Sequence, residues 1–403
     1  MLLIPRVIAV AGTFVMIGCA LSTGSSPASS RDRFQAAAPS QVVFPTLARG
    51  SVPDCDTTAN AVPCRLRWPI PTTTARNFAG SAFVRGDTLT FVAASSDSVE
   101  LLSPFRLPMA RVGTEDLWVA SLRVHDLDHA MFSYVMLAKT ETTMAPKVFL
   151  GPQAPRPMAR AMALRGAVRT DSLSYTDAHD VRSMRAVVSY VPEGWQSTVA
   201  RSVVYMGDGN AVRRLAPLLD TLITTHALPL VALVGVAAAP VIQSQPESEF
   251  GRAREYVFGF QADTAAFLTH ERFVLETVIP WAERTLAVPH ERGRRFVWGY
   301  SNSGAFAVTV AHRNPSLFSV AMAASLSGDA LPPGGKGEAP AYFLTAGTFE
   351  KRVLPASRAL REQLEREGSV ARLDTFVSGH DAYAWEELFV PQLRWALSHS
   401  TAP

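Results

Sequence analysis

The sequence predicts an α/β protein with a mostly parallel sheet, preceded by a small β-sandwich, and two changes of pattern along its 403 residues carry that expectation. After Arg185, apolar strands alternate with helical stretches. The strands are Ala186 to Val191, Ser202 to Met206, Leu230 to Val236, Arg295 to Tyr300, Phe318 to Ala324, Ala341 to Ala346 and Arg372 to Val377. Helices are predicted over Arg213 to Thr225, Thr264 to Leu286, Ser303 to His312, Leu354 to Glu367 and Ala384 to Leu397; in the first, Leu215, Leu218, Leu219, Leu222 and Ile223 form one apolar stripe. Before Leu150 the signals differ: Thr88 to Val92, Val99 to Leu102, Leu117 to Leu122 and Met131 to Leu137 are short runs separated by polar turns. Their spacing suggests an antiparallel sandwich of immunoglobulin-like type over residues 53–150. Residues 151–184, opening with the proline-rich Gly151 to Pro157, read as a linker or an extra strand, and 185–403 as the α/β domain.

Nearly half the residues are apolar and the net charge is only +3, with basic and acidic residues interspersed. Such a chain can bury large cores, and it lacks the dense cationic stripe that displaces counterions from nucleic acid. At the N-terminus, Arg6 precedes an apolar run from Val7 to Ile17, too short to span a bilayer and closed by Met16-Ile17-Gly18-Cys19. That anatomy predicts an export signal over residues 1–18 with Cys19 as a lipidated first residue of the mature protein, followed by a tether over 19–52 rich in Ser, Ala and Pro. An anchored protein of the bacterial outer membrane or a periplasm-facing membrane follows, with a soluble periplasmic form as the alternative. Setting Cys19 aside leaves Cys55 and Cys64, a local pair suited to a disulfide in an oxidising compartment. It would stabilise the entry to the first domain by about 2 to 3 kcal/mol.

Chemistry enters at Phe296 to Ala307, where an apolar strand meets Gly299-Tyr300-Ser301-Asn302-Ser303-Gly304 and a helix follows. A serine on such a turn takes strained dihedrals that lift its hydroxyl clear of the sheet, which predicts acyl transfer at Ser301 in an α/β-hydrolase layout. The second glycine of G-x-S-x-G is Ser303 here, with Gly304 one place later; Ser303 is small enough for the turn to tolerate, and crowding there is the departure to examine. The bare motif arises by chance in about one chain in seven of this length, so its company decides. A serine hydroxyl needs an imidazole to take its proton and a carboxylate to orient that imidazole. His380, in Gly379-His380-Asp381 after the last strand, is placed to be the base. Glu350, after the strand ending at Ala346, is placed to be the acid; Asp381 and Asp374 are the weaker candidates. Backbone donors for the oxyanion are expected from Asn302 and from Gly207 or Asp208 in the turn Tyr205 to Asn210.

Together, Val203 to Gly209, Arg254-Glu255-Tyr256, Phe273 to Trp281, Gly299 to Asn302, Gly347 to Glu350, and Gly379 to Asp381 with Trp385 resemble the esterase family that includes esterase D and the enterochelin esterases. The resemblance covers about residues 185 to 398 and implies ester hydrolysis with Ser301 as nucleophile, His380 as base and Glu350 as acid. It also implies an N-terminal immunoglobulin-like domain and a cleft bordered by Arg254 and Glu255. Arg254 would hold an anionic substrate group or pair with Glu255, while Tyr256 and Trp385 would pack beside the pocket or line it. Siderophore esters, acylated carbohydrates and simple short-chain esters are the candidate substrates, and the mechanism needs no cofactor. A rival reading makes the chain a catalytically weak surface lipoprotein that binds carbohydrate or a partner. A metal hydrolase built on His125 and His129 is disfavoured, because both flank Asp126 and Asp128 in what reads as a turn.

Overall fold

The computed structural model describes residues 52–55, 63–67, 69–102, 104–142, 145–196, 201–239, 250–328 and 331–400, with the backbone of 42–43. The apolar run Val7 to Ile17 and Cys19 lie outside the described residues. Among the described residues no helix is long and apolar enough to cross a membrane.

The first part of the chain supplies ten short strands: β1 (Val42–Val43), β2 (Cys64–Leu66), β3 (Ser81–Arg85), β4 (Thr88–Ala94), β5 (Val99–Leu102), β6 (Leu107–Pro108), β7 (Ala110–Val112), β8 (Leu117–Arg123), β9 (Met131–Ala138) and β10 (Lys147–Leu150). They pair antiparallel into two sheets, β1-β7-β8-β4-β3 with β2 also on β8, and β10-β9-β5-β6. Leu89, Phe91, Leu101, Phe105, Leu122 and Phe132 fill one core, as a sandwich requires. A short helix, α1 (Thr72–Asn77), was not expected from the sequence. Three consecutive threonines give it little intrinsic propensity, and it stands because Ala75 packs with Val92 and Val112. Cys55 and Cys64 form a disulfide with Cα atoms 4.9 Å apart. Beside it the Asp54 carboxylate accepts from Arg65 at 2.6 Å and Arg67 at 2.7 Å. The Arg65 hydrogen bond holds that carboxyl below its usual range.

The remaining strands are β11 (Ala167–Thr176), β12 (Arg182–Val191), β13 (Arg201–Met206), β14 (Leu230–Val236), β15 (Arg295–Tyr300), β16 (Val320–Ala324), β17 (Ala341–Gly347) and β18 (Ala371–Phe376). They form one sheet in the order β11-β12-β14-β13-β15-β16-β17-β18. The pairs β11/β12 and β12/β14 are antiparallel, whereas β14 through β18 pair parallel. This is the mixed sheet of an α/β-hydrolase. The segment read as linker or extra strand thus contributes β11, which pairs with β12 along its full length.

The helices are α2 (Asn210–Thr224), α3 (Gly251–Tyr256), α4 (Ala265–Phe273), α5 (Ile279–Leu286), α6 (Asn302–Arg313), α7 (Val353–Arg366) and α8 (Ala382–His399). The single helix predicted over Thr264 to Leu286 is α4 and α5 joined by a π turn at Val274–Val278. Pro280 follows that turn and has no N–H to continue the ladder. On one face of the sheet Leu215, Leu219, Val390 and Leu393 cover Val204, Phe296 and Trp298. On the other, Phe267, Phe306 and Val310 cover Tyr205, Val297 and Phe318. Buried on both faces, the central strands read as near-continuous apolar runs, which is why the sequence marked them well.

His270 on α4 is fully buried between the rings of Tyr256 and Phe306, with Glu255 Oε2 3.9 Å from Nδ1. Burial pushes its pKa from 6.5 down to about 4, against the attraction of Glu255. Between those values the unfolded chain takes up a proton that the folded protein refuses, so stability present above pH 6.5 is lost as pH falls toward 4, by about 3 kcal/mol at most. Calorimetry from pH 7 to pH 4.5 is expected to show a falling Tm in the native protein and a shallower fall in His270→Phe; parallel slopes would contradict this.

Candidate active site

β15 ends at Tyr300 and α6 begins at Asn302, leaving Ser301 alone at the turn with φ 54° and ψ −128°. Such dihedrals cost a non-glycine residue about 1 to 3 kcal/mol and persist only where the surroundings fix them. Here the Ser301 N–H donates to Ala324 O at 2.9 Å, and its carbonyl accepts from Gly304, Ala305 and Ser327 N–H at 3.0, 3.2 and 3.1 Å. Gly299 is required by close approach, because a Cβ there would lie 2.1 Å from Ser303 O.

The turn aims the hydroxyl at an imidazole: Ser301 Oγ lies 2.8 Å from His380 Nε2, and His380 Nδ1 lies 2.7 Å from Glu350 Oε1. Glu350 comes from the turn after β17 and is buried, while His380, between β18 and α8, stays exposed. The second carboxylate oxygen of Glu350 accepts from Ser325 Oγ at 2.6 Å and Gly347 N–H at 2.7 Å. Ser325 Oγ in turn accepts from Trp385 Nε1 at 2.9 Å. Trp385 also sets its ring edge-on to His380, with centroids 4.6 Å apart, and stacks on Tyr300. A continuous relay thus runs from Trp385 through Ser325, Glu350 and His380 to Ser301. Of the weaker acid candidates, Asp374 pairs with Arg372 on the surface, and Asp381 caps α8 through Ala384 N–H and accepts from Ser133.

Ser303 occupies its glycine-like position without crowding. It is buried, and its Oγ accepts from Tyr300 N–H at 3.1 Å and lies 2.9 Å from Tyr300 O and 2.8 Å from Asp208 Oδ2. The room comes from Gly207, where a Cβ would fall 2.7 Å from the Ser303 Cβ. Arg252 grips both oxygens of Asp208 at 2.7 and 2.6 Å. Attraction to Asp208 holds the Arg252 guanidinium above its usual pKa even though burial opposes its charge.

This network engages one of the two N–H groups expected at the oxyanion, that of Asp208. The Asp208 N–H donates to the Tyr256 hydroxyl at 2.9 Å, and the Gly209 N–H donates to Val236 O at 2.9 Å. At the loop's end, the first N–H of α2, on Asn210, has no carbonyl of its own helix to meet. Asn302 likewise opens α6 beside Ser301.

The residues expected to border the cleft divide. Among the described residues Arg254 reaches Gln261 at 3.5 Å, and the predicted partner Glu255 is held instead by Arg185 through two hydrogen bonds of 2.9 and 2.7 Å. Tyr256 is fully buried behind the elbow, so its place is structural. Trp385 belongs to the relay. An apolar cavity of about 310 Å³ runs beside α6, lined by Val257, Phe258, Phe260, Leu326, Leu331 and Leu360. Ala305 and Ser327, whose N–H groups hold the Ser301 carbonyl, also line it. His125 and His129 are exposed, and among the described residues no cluster of three or more His, Cys, Asp or Glu could hold a metal.

Sequence reasoning missed Arg252, Ser325 and Asn210. The signal available for Arg252 was its place on the same short helix as Glu255, three residues earlier; nothing local marked Ser325. Replacing Ser303 by glycine removes a buried hydroxyl bound to Asp208 and inserts glycine into a helix. Denaturant unfolding of Ser303→Gly is expected to show a loss of about 1 to 3 kcal/mol, and an unchanged midpoint would show that the bond contributes nothing.

Residues 179–336 match the family model described as "Putative esterase". No curated protein matches the chain. Among solved structures, it is similar to the enterobactin esterase of Shigella flexneri determined in the presence of enterobactin, at 15% identity and TM-score 0.60, covering 83% of this chain and 99% of that one. The ferric enterobactin esterase of Salmonella typhimurium is also similar, at 16% identity and TM-score 0.59, covering 79% of this chain and 96% of that one. At such identity the likeness establishes the fold, and the chain has the α/β-hydrolase fold of these esterases, with the family match lying over residues 179–336.

Proposed function

We propose that this protein is a serine esterase that cleaves a carboxylic ester through an acyl-enzyme intermediate. The observation that carries the proposal is the unbroken line Ser301 Oγ, His380 Nε2, His380 Nδ1, Glu350 Oε1 at 2.8 and 2.7 Å. In the acylation step, Ser301 Oγ attacks the ester carbonyl carbon as His380 Nε2 takes the hydroxyl proton. The Nδ1–H of His380 donates to Glu350, which fixes the tautomer and stabilises the imidazolium. Negative charge on the carbonyl oxygen is met by the N–H of Asn302 and by one from the opposing loop, that of Gly207 or Asn210. Collapse of the tetrahedral adduct expels the alcohol, which leaves with the proton from His380. A water molecule then gives its proton to His380 and attacks the acyl carbon, and the acid departs as Ser301 recovers its proton.

The substrate is a small-molecule or carbohydrate ester. The apolar cavity beside α6 supports one that carries an apolar group. Two arginines that lie over the Tyr300 ring are committed to carboxylates, Arg252 to Asp208 and Arg214 to Glu386. Siderophore, feruloyl and acetyl-sugar esters form the panel that assigns it.

In p-nitrophenyl ester hydrolysis, Ser301→Ala is expected to lower kcat by about four orders of magnitude or more, and Glu350→Gln by about two to four, with each variant folded. Turnover unchanged in Ser301→Ala would sink the esterase reading. The terminal run Val7 to Ile17 and Cys19 support export and lipid anchoring. Palmitate labelling in a bacterial host is expected for the full chain and lost in Cys19→Ser; equal labelling of both would place the lipid elsewhere.

A further inference from the structure

The β-sandwich touches the α/β domain where two of the reacting side chains are carried. Met131 N–H, at the start of β9, donates to Val377 O at 3.0 Å, extending backbone pairing from the sandwich to the residue just past β18. Two residues on, Ser133 binds the residue next to His380: its N–H donates to Asp381 Oδ1 at 3.1 Å and its hydroxyl to Asp381 Oδ2 at 2.5 Å. The Met131 side chain packs in one buried cluster with Phe376, Ala384 and Trp385. On the other side of His380, Gly379 lies so close to Pro104 that a Cβ would stand 2.6 Å from the proline Cβ. The acid's turn is held in the same way. Phe349, adjacent to Glu350, inserts its ring beside Phe105 and Phe132 of the sandwich core, with centroids 5.3 and 6.3 Å away.

We propose that the sandwich is a positioning domain, which holds the turns bearing Glu350 and His380 in register so that His380 Nε2 meets the Ser301 hydroxyl, with Ser133 and Pro104 as its positioning residues. This rests on the esterase reading above and adds a role for the first domain. The physical need is specific. His380 is 44% exposed and sits in a turn after β18, the edge strand of the sheet. An imidazole must stay within hydrogen-bond reach of both oxygen partners, and a displacement of about 1 Å can cost about 100-fold in rate. Phe349 and Asp381 anchor the two turns immediately beside the reacting residues, and both anchors end in the sandwich.

The test is kinetic. Ser133→Ala removes one hydroxyl and leaves the backbone bond to Asp381. It is expected to lower kcat about tenfold with KM within about twofold, an unchanged thermal midpoint within a few degrees, and recovery in Ser133→Thr. A contact swap gives a second reading. Gly379→Ala drives a methyl into Pro104 and is expected to lower kcat, and Pro104→Gly added to Gly379→Ala restores part of it. If Ser301→Ala is inactive while Ser133→Ala and Gly379→Ala both keep the kcat of the native protein, the positioning role is wrong and the esterase reading stands. If Ser301→Ala itself retains full turnover, the reading on which the proposal rests has failed. Loss of kcat in Gly379→Ala that Pro104→Gly does not relieve, with Ser133→Ala unaffected, overturns the positioning role as well.

Discussion

Ser301 is held at φ 54° by hydrogen bonds to both of its backbone groups, and the surrounding architecture is arranged around that unfavourable turn. Its N–H is tied to β16 and its carbonyl to three N–H groups, two from α6 and one from the Ser327 turn. Those four bonds offset a dihedral cost of about 1 to 3 kcal/mol and leave the hydroxyl as the one polar group of the residue that projects outward. Release of any element around the turn would let the serine relax into ordinary helix or strand geometry. The missing Cβ at Gly299, the hydroxyl at Ser303 and the missing Cβ at Gly207 are three consequences of one requirement: the helix must start within van der Waals contact of two strand ends.

A polar chain crosses this crowded region without leaving its central carboxylate unpaired. Glu350 accepts from Ser325 and Gly347 and lies 2.7 Å from His380 Nδ1, so its buried carboxyl meets three polar partners. Behind the elbow, Asp208 does the same for Ser303 and Arg252. The two carboxylates act on different parts of the site, one beside the imidazole and the other tying the loop after β13 to the helix that follows the serine. Apart from the Gly347 contact, both sets join residues far apart in sequence, which makes the site a product of the assembled sheet.

The sheet was legible because its central strands are buried on both faces and its helices carry apolar stripes, so β14 and β15 fall where the apolar runs do. Helix α1 was not, since its stability comes from packing. Ser301, His380 and Glu350 could be singled out because each stands directly after a readable strand, in the order an α/β-hydrolase uses, and the structure brings them within hydrogen-bond distance. Arg252 and Arg254 could not be told apart by spacing alone. The helix turns Arg252 toward Asp208, while Arg254 reaches Gln261. Ser303 stood out as a tolerable departure from the motif, and its value as a hydrogen-bond donor became visible only with Asp208 opposite it. The contacts of Ser133 and Pro104 had no sequence signal, because they cross between two separately patterned parts of the chain.

The central claim is that the strained turn and the imidazole together make Ser301 a nucleophile. The direct measurement is treatment of the folded protein with a fluorophosphonate, followed by intact mass and peptide mapping. The account predicts one adduct per chain, on the Ser301 hydroxyl, with no adduct in His380→Ala over the same time. An unmodified Ser301 in folded protein, or an adduct on another residue, would contradict it.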